Sequence, residues 1–308
     1  VAMYNYALLI HETAFTGFGE SVTIFEDFLN DFPNSQYADK VNDYLVEVYL
    51  ATKNYEAALK SINKIKHPST KILEAKQDIL FQLGTQAFAN VKLDDAVSLF
   101  SQAIQLGSYN MEARNDAYFW RGESYYRMGE YENAISDYRT YLNNTRQHNT
   151  DMYALAYYNL GYSYFKLRDY SAALNRFRQY VDLESNRQAA SLADAYNRIG
   201  DCLYQNRQFS LAEENYSRAA QLSPSAGDYS IYQKGFLLGL QKDYKGKISA
   251  MDRLISEYPE SQYVDDALFE KGRSYVLLEN SSSAAQAFEK LIREFPQSSL
   301  ARKAGIQL

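Results

Sequence analysis

Apolar and polar residues alternate along this chain with the period of a helix, in runs that are interrupted at regular intervals. The stretch Tyr157–Phe177, YYNLGYSYFKLRDYSAALNRF, shows the unit. Tyr157, Leu160, Gly161 and Tyr164 recur at i, i+3, i+4 and i+7, which places them on one face of a helix. The polar residues of LRDY then break the run, and Ala173, Phe177 and Tyr180 form the inward face of a second helix. The pattern predicts two antiparallel helices closed by a short turn.

The unit recurs. Gly122, Gly161 and Gly200 are spaced 39 and 39 apart; Gly84 precedes them by 38, and Gly235 and Gly272 follow at 35 and 37. Twelve residues after most of these glycines stands an alanine, at Ala96, Ala134, Ala173, Ala212 and Ala284. Four residues further on comes an aromatic: Phe100, Tyr138, Phe177, Tyr216 and Phe288. A glycine inside a helix costs about 1 kcal/mol relative to alanine, so its recurrence needs a compensating reason. Close approach supplies one: small residues on facing helices let the pair pack tightly, with the aromatic filling the space beside them.

Large residue, x2, Leu-Gly, x2, Tyr, then Ala, x3, Phe and a closing Pro is the pattern of the tetratricopeptide repeat, which this chain resembles. The copy at Tyr157 fits every slot but the last. Tyr196, Ile199, Gly200, Leu203, Ala212, Tyr216 and Pro224 make another, as do Leu268, Gly272, Tyr275, Ala284, Phe288 and Pro296. Arg121 replaces the usual leucine in the Gly122 copy, and Lys247 stands where alanine belongs in the Gly235 copy. Two N-terminal copies lack the glycine and are marked by Asn54–Leu59, with Ala58 in the small slot, and by Phe25 with Pro33. The resemblance implies an all-α, right-handed superhelical solenoid of about eight antiparallel helix pairs. They form one array at approximately 1–34, 38–68, 77–108, 115–148, 154–187, 193–225, 228–260 and 265–297, followed by the start of a C-terminal capping helix.

The junctions between copies have a form of their own. DFPNSQYADK (Asp31–Lys40) and EYPESQYVDD (Glu257–Asp266) are nearly the same decapeptide, and EFPQSSLARK (Glu294–Lys303) is a looser third. Proline cannot continue a helix, so Pro33 and Pro259 end one repeat. Ser35 or Ser261 is placed to cap the next helix, with Asp39 or Asp265 at its positive end. The form resembles that of bacterial cell-envelope proteins similar to the TolA-binding protein and the outer-membrane assembly lipoproteins. That likeness implies a periplasmic or envelope location, with a cytoplasmic adaptor as the alternative.

Composition narrows the function classes. Low Gly and Pro counts, 14 and 5, suit long helices, and 29 tyrosines are the anomaly. A net charge of −6 gives no general attraction to nucleic acid, and residues 110–220 hold 12 Arg and one Lys against 14 acids, which is no basic stripe. Cys202 is the single cysteine, and His11, His67 and His148 fall in different repeats, so no metal site, cofactor or catalytic residue is expected. HETAF at His11 has Phe15 where a zinc motif needs histidine, and TGFGES (Thr16–Ser21) has no lysine behind its glycines. No apolar run reaches the length of a membrane span, so any membrane association would come through an N-terminal region missing from this sequence.

A non-enzymatic scaffold for a protein or peptide partner is therefore the expected function; the alternative is the accessory arm of a larger enzyme or sensor. In the resembled family the first helix of each pair also presents a concave face, three before, one after, and four or five after the glycine. Carried over, that face includes Phe81 and Phe88, then Phe119, Glu123, Tyr126 and Arg127, then Tyr158, Tyr162, Phe165 and Lys166. Asn197, Asp201 and Tyr204 continue it, with Tyr232 and Phe236 beyond. The expected partner groove takes Phe119, Tyr126, Arg127, Tyr158, Tyr162, Phe165, Lys166, Tyr204, Tyr232 and Phe236 from this set. Tyrosine offers stiff contact area with a polar tip, and Arg127, Lys166 and Arg198 would meet partner carboxylates.

Overall fold

The computed structural model of the chain describes residues 2–5 and 19–308, and every regular element among them is helical. His11 with its HETAF segment, and Thr16–Phe18 of the glycine-containing stretch, lie outside the described residues. Contacts gather into two compact units, Val1–His148 and Asn149–Leu308. The first contains α1 (Glu20–Asp31), α2 (Ala38–Ala51), α3 (Tyr55–Ile62), α4 (Thr70–Ala89), α5 (Leu93–Gln105), α6 (Met111–Arg127) and α7 (Tyr131–Asn144). The second contains α8 (Asp151–Lys166), α9 (Tyr170–Leu183), α10 (Ala190–Gln205), α11 (Phe209–Leu222), α12 (Asp228–Leu240), α13 (Tyr244–Glu257), α14 (Val264–Leu277), α15 (Ser281–Glu294) and α16 (Ser299–Gln307). Within each unit the glycine-bearing helices pack on their partners, α4 on α5 through α14 on α15, and each second helix packs on the first helix of the next pair. The third pair begins at Thr70 rather than near residue 77. Ser69 caps it there, its Oγ accepting the Ile72 N–H at 3.3 Å.

The glycines do sit at the contact between helices, with one refinement. The atom closest to each is the aromatic ring rather than the alanine. A Cβ built on Gly84, Gly161, Gly200 or Gly272 would lie 2.5–2.9 Å from the ring of Phe100, Phe177, Tyr216 or Phe288 respectively. The ring occupies the space of the missing side chain, and the alanine one turn earlier is buried beside it. In the Gly235 pair, where Lys247 takes the alanine slot, Met251 Cε takes the place of the ring at 2.7 Å.

Turns inside the pairs share a feature that the sequence pattern did not announce. Val91, Gly129, Arg168, Arg207, Lys242 and Glu279 all have positive φ, between 58° and 78°, and each lies seven residues after its glycine. The next residue donates its N–H back across the turn, as Lys92 does to Ala87 O at 2.9 Å and Asp169 to Tyr164 O at 3.0 Å. This is the six-to-one bond of a Schellman ending, which needs a left-handed residue. Only Gly129 meets that need without a Cβ penalty; the β-branched Val91 meets it at a cost.

The proline junctions end helices as expected. α1, α13 and α15 stop one residue before Phe32, Tyr258 and Phe295, whose φ and ψ cluster near −130° and 57°. Asp39 and Asp265 occupy the first turns of α2 and α14. The serines differ from expectation. Ser35 and Ser261 accept the N–H of Tyr37 and Tyr263 at 3.2 and 3.1 Å, and the cap positions belong to those tyrosines. Each serine lies two residues too early to cap the helix, so it closes the preceding turn instead. Ser261 and Ser298 also donate to Asp228 and Asp265 at 2.6 and 2.7 Å, tying each junction to the start of the pair before it.

Candidate partner-binding site

Within the second unit, three first helices combine around one hollow of about 390 Å³. α8 supplies Phe165 and α12 supplies Tyr229, Tyr232, Gln233 and Phe236. Between them α10 supplies Arg198, Asp201, Tyr204 and Gln205. Helical periodicity explains the set: Phe165 and Tyr204 lie four residues after their glycines, Phe236 one after and Tyr232 three before, so the same face of successive helices is presented. The rings hold one another in place. Tyr232 stacks on Tyr263 at 5.5 Å and tilts against Phe236 at 6.2 Å; Tyr204 leans on Phe209 at 5.8 Å and Phe165 on Tyr170 at 5.4 Å.

Beneath the rings runs a charged network. Arg198 Nη1 lies 2.9 Å from Asp201 Oδ2, and its Nε lies 3.8 Å from Asp194 Oδ1. Asp201 Oδ1 accepts the hydroxyls of Tyr216 and Tyr229 at 2.6 and 2.7 Å. Asp194 Oδ2 accepts from Tyr158 at 2.7 Å and also from Tyr162. Burial pushes the Asp201 carboxyl above its ordinary range, against the opposing pull of Arg198 and the two hydroxyls. Burial also works against the Arg198 charge, but Asp201 and the neighbouring phenols and Asp194 hold its proton more firmly than usual. The guanidinium lies over the faces of Tyr229 and Phe165, at 5.0 and 5.8 Å.

The structure sorts the expected groove residues into three groups. Phe165, Tyr204, Tyr232 and Phe236 come together at the hollow. Tyr158 and Tyr162 do not line it: their hydroxyls are spent on Asp194, their rings pack edge-on against Phe177 at 6.0 and 5.2 Å, and burial raises both phenols. Lys166 is exposed and stands outside the lining. Arg198, expected to greet partner carboxylates, is already engaged by two of the protein's own. In the first unit Phe119 is core, 1 % exposed and wedged edge-on between Trp120, Tyr138 and Tyr141. Tyr126 meets Tyr131 edge-on at 5.4 Å, and exposed Arg127 lies 4.2 Å over the ring of Phe88, itself buried.

Asp194 and Tyr229 are parts of the site that the repeat frame did not single out. A signal was present. Six residues before the glycine stand Asp78, Asp116, Asp194 and Asp266, one per copy in four copies. Burial raises the carboxyls of Asp78, Asp116 and Asp266, with neighbouring acids adding to the effect, and Asp116 reaches about 6 with Glu112 beside it. A carboxyl raised on folding stabilises the protein most below its unfolded value and loses that contribution as pH rises through its folded one. Asp116→Asn should therefore leave stability unchanged near pH 3.5 and raise it by about 1 kcal/mol at pH 7, after discounting for partial solvent screening. Urea unfolding of both proteins at the two pH values checks this; an equal effect at both would mean that Asp116 does not titrate across the window. Among the described residues no group of His, Cys, Asp and Glu is arranged to hold a metal ion, and no helix is long and apolar enough to cross a membrane. Cys202 is buried, and His67 and His148 are exposed.

Comparison with known proteins agrees with this architecture. Family models described as tetratricopeptide repeat match residues 114–183, 158–227, 229–261 and 266–298, together more than half of the chain. No curated protein sequence matches. Among solved structures, the C-terminal part of a TPR repeat-containing protein from Cytophaga hutchinsonii is 16% identical with a TM-score of 0.58, covering 86% of this chain and 98% of that one. PilW, titled a type IV pilus biogenesis factor, is 18% identical with a TM-score of 0.54, over 74% and 97%. YrrB, titled a TPR protein with an unusual peptide-binding site, is 22% identical with a TM-score of 0.51, over 67% and 97%. At these identities the likeness is one of fold.

Proposed function

We propose that this chain, which belongs to the tetratricopeptide-repeat family, is a non-enzymatic scaffold that holds a segment of a protein partner at the hollow between α8, α10 and α12. The observation that carries this reading is the hollow itself. Five rings from the first helices of three successive pairs are kept partly open to water although each has packing partners that could have closed over it. Such a concave, mostly apolar site with a few fixed polar groups is the usual form of a ligand pocket. Its volume of about 390 Å³ suits one or two side chains of a longer segment rather than a whole folded partner. A setting in the bacterial cell envelope is part of the proposal; the Pro-x-Ser junctions at Pro33 and Pro259 support it.

Site-directed photocrosslinking tests the binding surface. A benzophenone side chain replacing Gln233, in the lining, is expected to give a discrete crosslinked partner in cells of the source organism. The same group at Arg178, an exposed position on α9, is expected to give none. Equal crosslinking from both positions would remove the hollow from consideration.

A further inference from the structure

We infer that the occupant of the hollow is a basic side chain, an arginine or lysine of the partner segment, held by ring faces inside an acidic surround. This rests on the scaffold reading above and reverses the expectation that the site offers positive charge to partner carboxylates. The carboxylates in the ion pairs beneath the hollow already occupy its one lining cation. Asp194 and Asp201 share the single guanidinium of Arg198. The buried pair between Lys247 on α13 and Glu270 on α14 balances itself, with Arg273 adding a second cation on Glu270. Asp265 and Asp266 form no ion pair among the described residues, yet both lie close enough to Tyr232, a wall of the hollow, to raise its phenol in company with Glu270, behind the larger effect of burial. The one cation of the lining, Arg198, is thus engaged by Asp201 and Asp194, and the carboxylates named behind the lining outnumber the cations named with them. An acidic partner group would enter against that field; a basic one would complete it.

The rings supply the second half of the argument. A cation over an aromatic face gains from the ring quadrupole, most of all when water is excluded. This protein already uses that contact at both edges of the hollow. The Arg198 guanidinium lies over Tyr229 and Phe165, and the Lys247 ammonium lies 4.9 Å from the centre of Phe236. Tyr204 and Tyr232, between those edges, carry no such cation among the described residues. They leave room for one more. The amide of Gln205, exposed at the rim, offers a carbonyl acceptor, which suits the several donors of a guanidinium.

The test pans a displayed library of random linear peptides on the full chain, with Gln205→Lys and Tyr204→Ala panned in parallel. Gln205→Lys adds a positive charge at an exposed position and leaves the packing alone, so it remains informative even if Tyr204→Ala folds poorly. Peptides recovered on the parent are expected to be enriched in arginine and lysine, and to bind Gln205→Lys about tenfold or more weakly. Replacing the enriched arginine by citrulline, which keeps the shape and removes the charge, is expected to lose about tenfold on the parent. Recovered peptides that lack basic residues but are still lost on both variants would overturn the charge assignment and leave peptide holding at the hollow intact. Peptides recovered equally on parent and variants, or none recovered at all, would overturn both.

Discussion

Gly161→Leu is expected to lose about 3 kcal/mol of stability, at the upper end of what overpacking a closed contact costs. The ring of Phe177 lies 2.9 Å from where the first added carbon must go, and that ring is fully buried with Tyr158 and Tyr162 edge-on against it. It has nowhere to swing. Relief therefore has to come from separating α8 and α9, which exposes the alanine slot at Ala173 and the rings that depend on it. Gly305→Ala is the internal control. Gly305 also sits inside a helix, α16, but a Cβ there meets nothing within 4 Å. The change should stabilise by about 0.5–1 kcal/mol through reduced backbone freedom. Urea unfolding of the three proteins measures both effects. If Gly161→Leu matches the parent, the helices do not touch where the structure brings them together.

The contrast between those two glycines shows why so much of the fold could be read in advance. A residue without a side chain, recurring at 35 to 39 positions and in five of six copies in step with an alanine and an aromatic, reports a close contact, and the structure has the ring at the glycine in those five and Met251 in the sixth. Periodicity identifies such contacts because one geometry is repeated and the sequence samples it six times. The left-handed turn residue is repeated just as faithfully, yet it was not legible. Val, Arg, Lys and Glu fill that position as well as Gly, since one strained residue is tolerated when the Schellman bond beside it is made. Serine register at the junctions was missed for a related reason: a shift of two residues changes a helix cap into a turn closure without altering the sequence signal.

At the site the same logic divides the residues. Phe165, Tyr204, Tyr232 and Phe236 could be placed because spacing from a glycine fixes which way a helical residue points. Exposure could not be placed, because it depends on what a neighbouring helix contributes. Tyr162 and Tyr204 differ by a few positions in the repeat frame, but Asp194 on α10 reaches the hydroxyl of the first and turns it inward. Charge was misjudged for the same reason. In the sequence Arg198 reads as a free cation, whereas Asp194 and Asp201, on its own helix, hold it.

Departures from the repeat pattern follow a rule of their own, and the second large effect comes from one of them. Lys247 occupies a slot that wants alanine, and it is buried there with Nζ 2.5 Å from Glu270 Oε2 on α14. Its stem fits because Gly239 stands where other copies carry Phe88, Tyr126, Phe165 or Tyr204; a Cβ on Gly239 would lie 2.7 Å from Lys247 Cδ. The lysine thus takes the space of the absent aromatic. Arg121, the other misfit, is answered in the same way by Asp137, which accepts from Nε and Nη2 at 2.8 and 2.7 Å. Glu270→Ala should then cost about 3–5 kcal/mol, because it leaves a buried ammonium without its counter-charge. Replacing both partners, Lys247→Met with Glu270→Leu, should return stability to within about 1 kcal/mol of the parent, since an apolar pair of similar volume avoids the desolvation of both charges. A double-mutant cycle completed with Lys247→Met alone reads the coupling directly. A loss below about 1 kcal/mol for Glu270→Ala would mean that the Lys247 ammonium slides out to water along its own stem, and that the missing aromatic, rather than the ion pair, decides how α12, α13 and α14 fit together.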